Sequence, residues 1–132
     1  KNLDPAEVNR AAASAAMGVA HIFRAYTREQ LASGAVSGDQ VSRRIENSFN
    51  VRRSPDVQFV PEPYWIVSGA VTSHGSPFGY DSHVPVIFMG GGIKAGEYDQ
   101  SIAVNDIAPT LATILKVETP SGSVGRVLSE MW

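Results

Sequence analysis

The stretch from Val84 to Gly92, VPVIFMGGG, sets six apolar residues in a row before three glycines. Apolar residues without alternation are the mark of a strand covered on both faces, and the glycines end it. A chain built around such a strand needs helices to cover it. The rest of the sequence supplies them, because helical and extended patterns alternate along its length, which predicts an α/β fold, a layered sheet with helices and parallel character.

The helices announce themselves through their ends. Asp4, Pro5 and Glu7 form an N-cap, a first-turn proline and an acidic first turn, predicting a helix from Pro5 to Met17. Val8, Ala12, Ala15 and Ala16 make its narrow apolar stripe, and Gly18 is expected as a left-handed stop. Val19 to Tyr26 reads as a strand, and Thr27 to Gln30 as a capping box opening a short helix closed by Gly34. A third helix is predicted over Ser37 to Asn47, with Val41, Ile45 and Phe49 spaced four apart and Arg43 and Arg44 off that stripe. RRSPDVQFVPEPYWIVS is a strand pattern broken by Pro61 and Pro63, so it is an edge strand or two strands with a kink. A short strand is expected around Ser101 to Val104, then a helix capped by Asn105 or Asp106 with Ile107, Leu111, Ile114 and Leu115 at helical spacing and Pro109 in its first turn.

Length and composition narrow the function classes. The 132 residues match one domain, 43% hydrophobic, and the net charge of -2 argues against nucleic acid or anionic lipid as partner. No cysteine is present, which excludes disulfides and thiolate metal sites. No apolar run reaches the roughly 18 residues of a membrane span. The chain starts at Lys1, as a trimmed or mature form or a piece of something longer would.

Three histidines are the candidates for metal chemistry. His21 sits in an apparent strand, and the better reading is a satisfied core or edge histidine. His74 follows the strand-like WIVSGAV, and Gly75 and Ser76 let the backbone turn so that the imidazole projects at a sheet edge, where α/β sites collect. From spacing alone it is either a ligand or part of a turn. Asp81 and His83, two apart, would share one face of an extended segment and supply two ligands; the alternative is a turn capped by Asp81. Ser76 and Ser82 lack a nucleophile-elbow context, and Met89 to Gly92 lacks the spacing of a phosphate-binding fingerprint. Tyr64 and Trp65 form either a ligand platform or the packing of a proline-broken strand.

SHGSPFGYDSHVPVIFMGGGIKAGEY, VNDIAPTLATIL and the late GRVL, in that order, resemble the C-terminal part of zinc-dependent phosphatases and phosphodiesterases of the alkaline phosphatase superfamily. NSFNVRRSPDVQFVPEPYWIV and GVAHIFRAYTREQL resemble the same family's bacterial branch related to type I phosphodiesterases and nucleotide pyrophosphatases. The resemblance implies two zinc ions in the full-length enzyme and a threonine or serine nucleophile that forms a phospho-enzyme. His74 matches the histidine that ligates one of those metals, whereas Asp81 and His83 match a segment that introduces a core strand. The nucleophile and the other ligands belong to the family's larger N-terminal part, with no match here. The implied chain is a single C-terminal domain or fragment, residues 1–132, that supplies one ligand and is inactive alone. Its implied substrates are phosphate esters, monoesters ahead of diesters or nucleotide pyrophosphates, and its implied location is the periplasm or outside the cell. A non-catalytic α/β interaction module is the competing reading. A fragment should also expose an apolar face, one able to pair copies of the chain.

Overall fold

The computed structural model describes residues 3–67, 69 and 71–132. The expected α/β class holds, as helices accompany a small sheet. The sheet is antiparallel, two strands wide, where parallel character was expected. The chain divides into two compact units, Lys1–Val84 and Pro85–Trp132.

The first unit opens with α1 (Pro5–Met17), its Asp4 side chain accepting from the Ala6 amide. The face that α1 turns inward differs from the predicted stripe. Asn9 is buried, with Ala6, Ala13 and Ala16 half-buried, while Val8, Ala12 and Ala15 are exposed. A polar anchor decides the rotation, since Asn9 Nδ2 donates to Glu29 Oε1 at 3.0 Å. Gly18 is right-handed at φ -81, and the left-handed residue comes later, at His21 with φ 66. The strand therefore starts late, as β1 (Ile22–Thr27).

Thr27 completes the predicted capping box for α2 (Arg28–Ser33), and Gly34 closes it in the left-handed region at φ 69. α3 (Gln40–Ser48) starts at Asp39, whose carboxylate accepts from the Val41 and Ser42 amides. β2 (Val57–Pro61) pairs with β1 so that Thr27 faces Val57 and Ala25 faces Phe59. β2 ends at the first of the two prolines, which lack the N–H that would extend a ladder. Ser68 and Ala70, in the strand-like WIVSGAV, lie outside the described residues.

Tyr26, Leu31, Ile45 and Val60 form the core of this unit, with Phe23, Val36, Phe49 and Phe78 against it. One polar group enters that core with full compensation. Ser42, fully buried, donates to Asp39 and shares hydrogen bonds with the Tyr26 hydroxyl and the Arg24 guanidinium. Ser37 and then Arg24 hold the Asp39 carboxyl well below the usual carboxylate range.

The second unit has one long element, α5 (Ile107–Leu115), entered through a 3₁₀ turn over Val104–Asp106. The expected strand near Ser101 is irregular. Of the predicted apolar stripe, Ile107 and Ile114 are half-buried, but Leu111 and Leu115 are 41% and 67% exposed, whereas Pro109, Thr110 and Ala112 are buried. Hydrogen bonding explains the shifted face. Asp106, expected as a helix cap, instead accepts from the amides of Ala103 and Arg126 at 2.9 and 2.8 Å. The Thr110 hydroxyl donates to the Asp106 carbonyl and accepts from the Leu128 amide. This knot draws the GRVL segment onto the helix. Gly125 makes it possible, because a Cβ there would run into the Asn105 carbonyl.

VPVIFMGGG is not a paired strand. Val86 and Phe88 are half-buried, but Val84, Ile87 and Met89 are 57%, 85% and 96% exposed. Burial on both faces needs neighbours on both faces, and the described residues supply cover for one. No described helix is long and apolar enough to cross a membrane.

Candidate functional site

The loop from Ser73 to His83 carries two of the three histidines, and the structure sets them on different pieces of backbone. Gly75 takes φ 83, a left-handed conformation that L side chains rarely adopt, so the chain turns sharply after His74. The next two residues are held from opposite directions in the sequence. The Ser76 amide donates to Asp81 Oδ2 at 2.6 Å, and the Pro77 carbonyl accepts from Arg44 of α3 at 2.6 Å. Phe78 meets Phe23 edge to face at 5.7 Å and so ties the loop to the core. A short helical turn, α4 (Gly79–Ser82), follows. The Ser82 hydroxyl donates to the Phe78 carbonyl and is engaged in that turn.

His74 stands at the end of this braced backbone with its residue exposed. The Asp81 carboxyl is held below the usual carboxylate range, first by the Ser76 amide; the His74 imidazole and the Gly75 amide act in the same direction. Asp81 thus faces its own loop as an anion accepting backbone hydrogen bonds. The proposed sharing of a face by Asp81 and His83 does not occur. Asp81 lies in a helical turn, where residues two apart point away from each other, and exposed His83 follows its last residue.

His21 is satisfied at an edge. Its Nδ1 lies 3.0 Å from Glu62 Oε2, and its ring stacks on Trp65 with centroids 3.3 Å apart. Tyr64, also left-handed at φ 66, stacks on Tyr80 at 4.4 Å, and its amide donates to the Tyr80 hydroxyl. Both aromatic residues therefore pack the turn after β2. They also border an open cavity of about 580 Å³ whose other walls include His74, Ser76 and Asp81. Its size suits a small molecule. Gly90 and Gly92 have positive φ, and the segment around them is exposed.

Arg44 and Asp106 are the structurally decisive residues that sequence reasoning left aside or read otherwise. Arg44 was identified only as lying off an apolar stripe, and its partner is a carbonyl 33 positions away. No local pattern signals such a bond. An imidazole is a good zinc donor, and His74, exposed on a braced backbone, fits one position of a metal shell. A zinc site takes three or four protein ligands, and no group of three or more His, Cys, Asp or Glu among the described residues is arranged to hold a metal.

No family model matches the chain. Individual proteins do. A calcium-transporting ATPase of Myroides odoratus is 42% identical over 90 residues, covering 66% of this chain and 16% of its own length. Alkaline phosphatase PafA of Elizabethkingia meningoseptica is 39% identical over 95 residues, 70% of this chain and 17% of that protein. Alkaline phosphatase PhoV of Synechococcus elongatus is 38% identical over 102 residues, 74% of this chain and 18% of that protein. In three dimensions, a crystal structure of alkaline phosphatase PafA superposes with a TM-score of 0.84 at 30% identity, over 98% of this chain and 25% of that one. The chain thus spans less than a fifth of these relatives' sequences and a quarter of the solved chain. Sequence and fold together place it in the alkaline phosphatase superfamily.

Proposed function

We propose that this chain is a C-terminal portion of a zinc-dependent phosphoric ester hydrolase and that His74 is one donor to its metal. The observation that carries the reading is the loop itself: an exposed imidazole on a backbone braced at Ser76 and Pro77 and turned by Gly75. Such bracing lowers the cost of presenting a donor in one orientation. The similarity of the chain to alkaline phosphatases supports the reaction class.

Bound zinc would lower the pKa of a nucleophile and stabilise the negative charge that develops on the leaving oxygen. The threonine or serine nucleophile and the remaining ligands belong, in this reading, to sequence outside the chain, so the chain alone is inactive. Its own residues do three things. His74 offers the imidazole, Arg44 and Asp81 hold the loop that carries it, and Tyr64 and Trp65 border the cavity beside it. Phosphomonoesters are the favoured substrates, with diesters and nucleotide pyrophosphates the alternative. The ATPase name of the Myroides relative fits the same chemistry, since cleavage of ATP is also hydrolysis at phosphorus. Action in the periplasm or outside the cell belongs to the same proposal.

The test uses the full-length enzyme that contains this segment. His74→Ala should reduce bound zinc and lower phosphate-ester hydrolysis by about a hundredfold or more, beyond the 10–100-fold usual for residues that only support a ligand. His83→Ala should change neither. Wild-type zinc content and rate in His74→Ala would reject the ligand assignment and leave the interaction-module reading.

A further inference from the structure

We infer that Asp81 and Arg44 are the positioning residues of the His74 loop, setting metal affinity through two backbone hydrogen bonds without touching the metal; this rests on the reading of His74 as a ligand. The two residues act on adjacent positions from different parts of the fold. Asp81 comes from α4, five residues downstream, and receives the Ser76 amide at 2.6 Å. Arg44 comes from α3, on the core side, and donates to the Pro77 carbonyl at 2.6 Å. Each bond joins a charged side chain to a backbone dipole, the stronger class of hydrogen bond.

The geometry explains why two braces are needed. Gly75 has open space around it and a positive φ, so its backbone alone does not hold one direction for His74. Fixing Ser76 and Pro77 removes that freedom on the C-terminal side of the glycine. α3 is itself anchored, since Ile45, next to Arg44, is buried in the core. The position of the imidazole is thereby referred to the core of its unit through one side chain.

Either charge could serve fold stability alone, and the two roles separate experimentally. In the full-length enzyme, zinc affinity is measured by chelator competition and the melting temperature of the metal-free form is measured in parallel. Asp81→Ala and Arg44→Ala should each weaken zinc binding about tenfold or more, as loss of outer partners of metal ligands does, while the metal-free melting temperature stays within a few degrees of wild type. Asp81→Asn keeps an oxygen acceptor for the Ser76 amide and should recover most of the affinity. Arg44→Lys, with one point donor in place of a planar fork, should recover part of it.

His74→Ala is the internal reference. If it abolishes zinc binding while Asp81→Ala and Arg44→Ala bind as wild type does, the positioning role is wrong and the ligand reading stands. If His74→Ala binds zinc normally, the ligand reading fails and the inference fails with it. A failure of Asp81→Asn to recover affinity would also overturn the acceptor argument. Should Asp81→Ala not fold, Arg44→Ala decides the matter, because it removes the other brace and leaves α4 intact.

Discussion

The two units each use a carboxylate to hold a loop, and they use it to opposite ends. In Lys1–Val84, Asp81 receives one close backbone amide and leaves a histidine exposed beside it. In Pro85–Trp132, Asp106 is buried, receives two amides from either side in sequence and ties Ala103 to Arg126. The first unit already has an apolar core in Tyr26, Leu31, Ile45 and Val60. The second buries Pro109, Ala112, Leu128 and Met131 and closes on the Asp106 and Thr110 knot. In the first unit the carboxylate holds a loop beside an exposed side chain; in the second it closes the chain on itself.

This contrast breaks most sharply at Gly125. Gly125→Ala sets a Cβ against the Asn105 backbone, which cannot yield as a flexible side chain would. It should destabilise the second unit by about 3 kcal/mol or more, seen as lost amide protection over residues 103–128 with the first unit's protection retained. Protection kept in both units would show that the knot tolerates a shifted backbone. The counterpart in the first unit is Val60→Ala, where a side chain only 2% exposed is truncated. About 2 kcal/mol should be lost, with deprotection confined to the elements around β1 and β2. Equal loss in both units would erase the distinction.

Acid sharpens the comparison with a smaller effect. Asp39, Asp81 and Asp106 all have lowered carboxyl pKa values, from the Ser37 and Arg24 side chains, the Ser76 amide and the Ala103 amide respectively. A carboxyl lowered on folding stabilises the folded state above its unfolded value, about 3.9, and that contribution disappears as pH falls through the lower folded value. Stability should therefore be level from neutral pH to about 5 and decline below about 4. Asp106→Asn should flatten the decline in the second unit alone, measured by exchange at low pH. An unchanged acid profile there would remove Asp106 as its source.

Much of the first unit was legible because its signals are local. The Asp4 cap, the Thr27 capping box and the Gly34 stop each act within a few residues, and each is found where it was read. The site was legible in part. Gly75 marked the turn after His74, and Asp81 was weighed as a turn residue as well as a ligand; the braced loop favours the turn. Three readings failed for a common reason. The α1 stripe, the α5 stripe and the strand Val84 to Met89 were all inferred from apolar spacing, which identifies what wants cover without saying whether a neighbour supplies it. Asn9 bound to Glu29 turned α1, Asp106 and Thr110 turned α5, and Ile87 and Met89 remain exposed.

The amino-acid sequence by itself determined the caps at Asp4 and Thr27, the stop at Gly34 and the turn at Gly75 just after a histidine, because these depend on φ preferences and on donors and acceptors a few residues apart. Only the tertiary structure decided which faces are buried and which charges hold the His74 loop. The bonds from Arg44 to Pro77 and from Arg126 to Asp106 span 33 and 20 residues, and such partners meet only after the chain has folded.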